Sequence, residues 1–258
     1  MTDIITVEGI KAGLCFDGTV EAYEAVDSTN TVAAERLISG CGEWHTVVAS
    51  AQSTGEGRLG RSFYSPMDTG IYMSCVLYPD ERMLPLVTGM AAVAVCRAIE
   101  RVCGEKPGIK WVNDIILDGK KVCGILAKSR TVGKKRGVIL GIGINVYPPR
   151  EGFPNDITHT AGYLAENQRE GLKNQMISAV LNELYRIYDS GESAVCEYRR
   201  RCITVGRRVS VIPAGNPAGG RDATALSVDD SYGLLVRLDD GSEETVSSGE
   251  VSVRFENY

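Results

Sequence analysis

Histidine is nearly missing from this chain: among 258 residues only His45 and His159 occur. Cysteine is better represented, with 8 residues, but no pair stands as C-x-x-C, so the short ligand spacings of a zinc site are lacking. Most of these cysteines lie in apolar runs such as "MSCVLY" and "VAVCRAIE", where a reduced thiol packs as a small hydrophobe. No apolar run reaches the roughly 18 residues of a membrane span. The start, "MTDIITVEGIKAG", has neither the basic head nor the apolar core of a signal peptide. Unpaired thiols without a leader point to the reducing cytoplasm. Positive charge is also in deficit: 28 Lys and Arg against 33 Asp and Glu give −5, which argues against general nucleic-acid binding. The remaining balance, 43% apolar and 24% charged, is that of an ordinary globular chain.

What is present falls into two regions. "DSTNTVAAERLISG" predicts a helix from near Ser28, with several N-cap residues at its start and Gly40 as its stop. "HTVVASAQ" and "GIYMSCVLYP" read as strands, and "PLVTGMAAVAVCRAIERVCG" as a helix apolar on most faces, hence buried on a sheet. Asp118-Gly119 between two apolar stretches signals a hairpin. "RGVILGIGINVY" is apolar on both alternating sets and predicts a central strand. "LKNQMISAVLNELYRIYDSG" and "AVCEYRRRC" are amphipathic helices. From about residue 204 the pattern turns to short alternating stretches, "GRRVSVIPAG", "GRDATALSVD", "GLLVRLDDG" and "EETVSSGEVSVRF", most simply a small β-barrel. The expected division is therefore 1–203 and 204–258.

The stretch "AQSTGEGRLGRSFYSP" carries the sharpest chemistry. Gly55, Gly57 and Gly60 fit the G-x-G-x-x-G of a dinucleotide turn, and Gly55 to Ser62 come within one residue of a P-loop. Both motifs require a helix after the loop to receive phosphate on its N-terminus. Here "SFYSPMDTGIYMS" follows, broken by Pro66 and Gly70 and leading to a strand, and the P-loop lysine is replaced by Arg61. Two readings stay open on composition: glycines that merely supply φ > 0, or a loop whose Arg58, Arg61 and backbone N–H groups close over an anion.

Four ordered stretches resemble the biotin protein ligases. "DSTN" (27–30) is similar to that family's D-S-T-N. "QSTGEGRLGRSFYSP" resembles its Q-x-x-G-R-G-R-x-G-R-x-W-x-S-P loop. "KWVNDIILDGKKVCGIL" resembles K-W-P-N-D followed by K-x-x-G-I-L, and "GIGINV" resembles G-x-G-I-N. The resemblance implies an α+β fold: a mixed β-sheet catalytic domain packed with helices, of the class II aminoacyl-tRNA synthetase and biotin ligase type, with a small C-terminal SH3-like β-barrel. It implies that biotin's carboxylate attacks the α-phosphorus of Mg·ATP to give biotinyl-5′-AMP and pyrophosphate. A lysine of a biotin carboxyl carrier protein then takes the biotinyl group and releases AMP. ATP with Mg2+ and biotin are substrates, with no permanently bound cofactor and no metal held by a dedicated side-chain cluster.

Residue roles follow from the same resemblance. Lys110 and Arg58 are the catalytic pair, Lys110 contacting biotin's carboxylate and the α-phosphate, where a point charge opposes anion repulsion. Read without the family, Lys110 is an ordinary exposed lysine at a strand end. Biotin falls to Ser28, Thr29, Asn30, Gln52, Glu56, Gly57, Arg58, Lys110, Gly124, Gly141 and Gly143. The nucleotide falls to Gly55, Arg58, Arg61, Phe63, Lys110, Asn113, Lys121 and Asn145, with Asn113 and Asp114 shaping the turn after Trp111. Three positions depart from the pattern. Glu56 replaces an arginine, which removes a cation from the loop. Phe63 replaces tryptophan but keeps a ring for stacking. Val112 replaces proline, which should loosen the turn after Lys110.

With "DSTN" beginning at residue 27, a DNA-binding domain ahead of it has no room, so a ligase-only form without a nucleic-acid or membrane partner is expected, as a monomer or homodimer. Rival readings are a lipoate ligase or octanoyltransferase, a non-catalytic biotin-binding module, and a nucleic-acid binder.

Overall fold

In the computed structural model, residues 3–133, 135–212, 219–247 and 250–253 are described, Leu59 and the last four by backbone alone. The elements in chain order are α1 (Val7–Gly13), β1 (Val20–Tyr23), α2 (Thr29–Ile38), β2 (His45–Ala49), β3 (Gly70–Leu77), α3 (Val87–Cys103), β4 (Gly108–Lys110), β5 (Asp114–Leu117), β6 (Lys120–Val132) and β7 (Lys135–Asn145). Then come α4 (Leu172–Ser190), α5 (Val195–Arg201), β8 (Arg208–Ile212), β9 (Arg221–Val228), β10 (Leu234–Leu238), β11 (Glu243–Val246) and β12 (Glu250–Val253).

Local chemistry sets many of the boundaries. Ser28 caps α2, its hydroxyl accepting from Asn30 N, and Gly40 follows at φ +82°. Gly104 ends α3 in the left-handed conformation, with its N–H bonded to Glu100 O. Asp118 and Gly119, at φ +49° and +74°, make the tight turn between β5 and β6.

Seven strands form a mixed sheet in the order β1-β2-β3-β7-β6-β5-β4; β1 and β2 run parallel and every other pair is antiparallel. As its two apolar sets predict, β7 is the central strand. Ile71, Cys75, Leu77, Leu140, Ile142 and Ile144 face the core under α3 and α4, whose own apolar residues are almost wholly excluded from solvent. Burial of that set supplies most of the driving force, at roughly 25 cal/mol per Å² of apolar surface removed from water. On the opposite face α2 packs through Ala33 and Leu37 onto Val47, Val76 and Ile139.

β8–β12 form a separate antiparallel sheet, in the order β11-β10-β9-β8-β12. This fits the all-β tail expected after residue 204. The expected stretches "GRRVSVIPAG" and "EETVSSGEVSVRF" fall partly outside the described residues. Two elements that the sequence reading did not separate, α1 and β1, flank the main sheet.

Candidate active site

The α2 face of the main sheet has a floor made by three strands. Ser74 of β3 stands opposite Gly141 of β7, which stands opposite Leu126 of β6; in the next row Tyr72, Gly143 and Gly124 are aligned. Glycine is needed here for close approach. A Cβ at Gly141 would lie 2.5 Å from Asn30 Oδ1, and one at Gly143 would lie 2.6 Å from the Phe63 ring.

The first turn of α2 stands over this floor, and its polar groups are joined in a relay. Ser74 Oγ lies 2.7 Å from Thr29 Oγ1 and 2.8 Å from Asn30 Oδ1, placed to donate to either. Thr29 donates to Gln52 Oε1 through its backbone N–H at 2.8 Å and its hydroxyl at 3.1 Å. Gln52 Nε2 donates in turn to Ser65 Oγ at 3.0 Å. Thr29, Asn30, Gln52, Tyr72 and Gly141 line a cavity of about 50 Å³. The polar surface of that wall is uncharged and fully oriented, which suits an uncharged polar ring more than an ion, whereas Glu56, Arg58 and Lys121 line the cavity's other side. Ser28 lies behind this wall as the helix cap and does not line the cavity.

The glycine loop closes one side. Gly57 N donates to Arg61 O at 2.7 Å, Phe63 N donates to Gly55 O at 2.8 Å, and Glu56 pairs with Ser62. A single 3₁₀ turn, Arg58–Gly60, forms the tip, with Gly60 at φ +74°. The chain then runs to β3 without a helix, so neither nucleotide motif is formed. Gly55 is packed inside the loop, where a Cβ would lie 2.4 Å from Phe63 O. Glu56 turns outward: its carboxylate accepts from Lys128 Nζ at 2.6 Å and from Asn30 Nδ2 at 3.3 Å. The Lys128 ammonium holds the Glu56 carboxyl below its usual range, against the opposing effect of partial burial.

Arg58 points inward, and Nη1 donates to Asn113 Oδ1 at 3.0 Å. Asn113 is itself pegged to β6, its Nδ2 donating to Ile125 O at 2.8 Å and its carbonyl accepting from Ile125 N at 3.0 Å. Beyond it opens a second cavity of about 150 Å³, lined by Arg58, Arg61, Lys110, Trp111, Asp114 and Lys121. Lys121 Nζ sits 2.7 Å from Asp114 Oδ1. Lys110 makes no hydrogen bond or ion pair through Nζ among the described residues. Four basic side chains against one carboxylate give this end a positive potential suited to phosphate and carboxylate oxygens. A third recess of about 110 Å³ holds Tyr64, Asn145, Phe153, Ile157 and Ala161. Phe63 and Lys121 line all three cavities, so the three adjoin one another around these two side chains.

The positions singled out by sequence are thus gathered around one cleft. The reading missed Ser74, hidden as a lone hydroxyl in an apolar strand, and Tyr72, which is buried so that its phenol is pushed up. It also missed Lys128 and the Phe153–Ile157 segment. Among the described residues no group of three or more His, Cys, Asp or Glu is arranged to hold a metal ion, and no helix is long and apolar enough to cross a membrane.

Residues 22–145 match the family described as biotin/lipoate A/B protein ligase. The chain is 31% identical over 234 residues to the bifunctional ligase/repressor BirA of Bacillus spizizenii, covering 87% of this chain and 71% of that protein. It is 27% identical to the biotin--[acetyl-CoA-carboxylase] ligase of Mycobacterium tuberculosis, covering 87% and 85%. The biotin protein ligase of Aquifex aeolicus, solved with biotin and ATP, superposes with a TM-score of 0.72 at 25% identity, over 92% of this chain and 98% of that one.

Proposed function

Because the chain belongs to the biotin/lipoate A/B protein ligase family, we propose that it is an ATP-dependent biotin–protein ligase. The observation that carries this reading is that a cavity with an uncharged, hydrogen-bonding wall adjoins a cationic one, the two sharing Phe63, Arg58 and Lys121. A molecule with an uncharged polar ring at one end and a carboxylate at the other fits that order. Thr29, Asn30 and Gln52 hold the ureido ring, and Gly124, Gly141 and Gly143 let the bicycle lie against the backbone. The carboxylate then lies toward Arg58 and Lys110.

In the first step a biotin carboxylate oxygen attacks the α-phosphorus of ATP, the bond to the bridging oxygen breaks, and pyrophosphate leaves with biotinyl-5′-AMP remaining. Two anions must meet, and Lys110 and Arg58 offset their repulsion while stabilising charge on the phosphoryl oxygens. Adenine belongs in the third recess, against Phe63 and near Asn145. The second cavity's donors are cations and an amide with a single paired carboxylate, so they suit phosphate oxygens; magnesium enters on the triphosphate, where it neutralises charge. In the second step a neutral lysine amine of a biotin carboxyl carrier protein attacks the acyl carbonyl. An amide forms, AMP leaves, and the amine proton passes to solvent. The glycine loop keeps water from the mixed anhydride in between. SH3-like closure of the small sheet, a cytoplasmic location and a monomer or homodimer belong to the same reading.

Biotin-dependent exchange of labelled pyrophosphate into ATP tests it, with wild type, Lys110→Ala and Arg58→Gly. Exchange that collapses in Lys110→Ala is expected, along with adenylate that forms but escapes faster from Arg58→Gly. Exchange driven by lipoate or octanoate instead of biotin would move the chain to a sister activity; none with any of the three acids would refute adenylation.

A further inference from the structure

Lys110 ends a three-residue strand at the margin of the main sheet, where β4 pairs with β5 alone. Such a strand has little to fix it by itself. Its outer side is held instead by the chain leading to the second sheet: Ile203 N donates to Ile109 O at 2.9 Å, and Ile109 pairs with Cys202. The residue after Lys110 is gripped harder. Trp111 N donates to Thr204 Oγ1 at 2.9 Å, and its indole Nε1 donates to Tyr232 O at 2.7 Å. Val112 O accepts from Tyr198 OH at 3.0 Å. Trp111, Tyr198, Thr204 and Tyr232 are all buried, so each bond is made where a lost partner is costly.

The Tyr232 end of this grip is itself stiff. Tyr232 sits at φ +61° in the turn between β9 and β10, where Asp229 Oδ1 accepts from Ser231 N and Gly233 N at 2.8 and 2.7 Å. Its ring packs so closely on α3 that a Cβ at Gly89 would lie 2.4 Å away. Arg199 of α5 donates to Val228 O at 2.6 Å and reaches Asp230 at 2.7 Å, pinning the same turn from the other side. Val112, which replaces the family's proline and was expected to loosen the turn, is held from outside by Tyr198.

We propose that the Tyr232 turn and Thr204 are positioning elements for Lys110, acting through Trp111, so that the second sheet sets the rate of adenylation. This rests on the reading of Lys110 as the residue at the α-phosphate. The biotin-ring pocket lies on β3, β6 and β7 and is not touched by the grip. Displacement of a charged group by about 1 Å is enough to cost about a hundredfold in rate.

The test is biotin-dependent pyrophosphate exchange by the full chain, as wild type, Trp111→Phe, Thr204→Val and Tyr198→Phe, with each repeated in a Lys110→Ala background where residual biotinyl-adenylate formation is followed in a single turnover with enzyme in excess. Trp111→Phe keeps the ring and removes only the indole donor; Tyr198→Phe removes one hydroxyl, so it reports even if Trp111→Phe fails to fold. The expected result is a fall in kcat of about ten- to a hundredfold with the KM for biotin changed less than about twofold. That fall should vanish when Lys110 is already alanine. Equal losses in both backgrounds, KM for biotin rising in step, or unchanged kcat in all three variants would overturn the positioning role while leaving the ligase reading intact. No exchange by folded wild type would overturn both.

Discussion

Glu56 lines the first cavity yet carries the wrong charge for a site that binds a carboxylate, and among the described residues Lys128 is the cation paired with it. Lys128→Met should therefore weaken biotin binding. The pair is half in solvent, with side-chain exposures of 47% and 39%, so its direct worth is screened to about 0.2–1 kcal/mol. The charged hydrogen bond to Asn30 ties the loop to α2 and is disturbed together with it, bringing the total to about 1 kcal/mol. That is about fivefold in the biotin dissociation constant. Titration calorimetry with biotin and with its uncharged alcohol analogue reads the effect. Lost pinning of the loop weakens both ligands, whereas repulsion by an unneutralised Glu56 weakens only the acid and fades with added salt. Adding Lys128→Met to Glu56→Gln should cost nothing more, and the exchange Glu56→Lys with Lys128→Glu should restore most of the affinity. Wild-type affinity in Lys128→Met, or simple additivity with Glu56→Gln, refutes the reasoning.

Three further outcomes follow from contacts described above. Gly141→Ala places a methyl 2.5 Å from Asn30 Oδ1 and should lower biotin affinity by about tenfold while leaving ATP binding unaltered, by calorimetry with each ligand. Phe63→Ala removes the ring shared by all three cavities and should raise the KM for ATP in pyrophosphate exchange by about tenfold; Phe63→Trp should not. Glu21 is held down to about 2, chiefly by the Arg36 guanidinium and further by Tyr23 and His45, against partial burial. A depressed carboxylate contributes stability above its ordinary value of 4.5, and loses it as pH falls from there toward 2. The full shift corresponds to about 3 kcal/mol, reduced by solvent screening to about 1–2 kcal/mol; urea unfolding of Glu21→Gln at pH 7 should show that loss and a flatter acid limb.

Sequence carried the local signals well. The cap at Ser28, the stop at Gly40, the Asp118-Gly119 turn and the doubly apolar β7 each rest on a few neighbouring residues, and each is found where expected. Four motifs spread over roughly 120 residues meet in one cleft because β3, β6 and β7 are adjacent. What could not be read is long-range. Glu56 was visible as a departure, but its partner stands 72 residues away. Trp111 finds Tyr232 across 121 residues, and nothing in "KWVND" points to the second sheet. β1 and α1 are too short for periodicity to separate from loop.

On β7, Gly141, Gly143 and Asn145 follow one another along a single face, opposite Ser74, Tyr72 and Gly70. A strand advances about 3.3 Å per residue, so this row spans about 13 Å, from beside Asn30 to the recess that holds Asn145. If the ring sits at the Gly141 row, as proposed, the acid's tail turns sideways at the next row, because Gly143, Gly124 and Asp114 stand in line toward the cations of the second cavity. The spacing from ring to cations is then set by neighbouring strands, so side-chain exchanges in the ring pocket act on the head group accepted before they act on the length of tail.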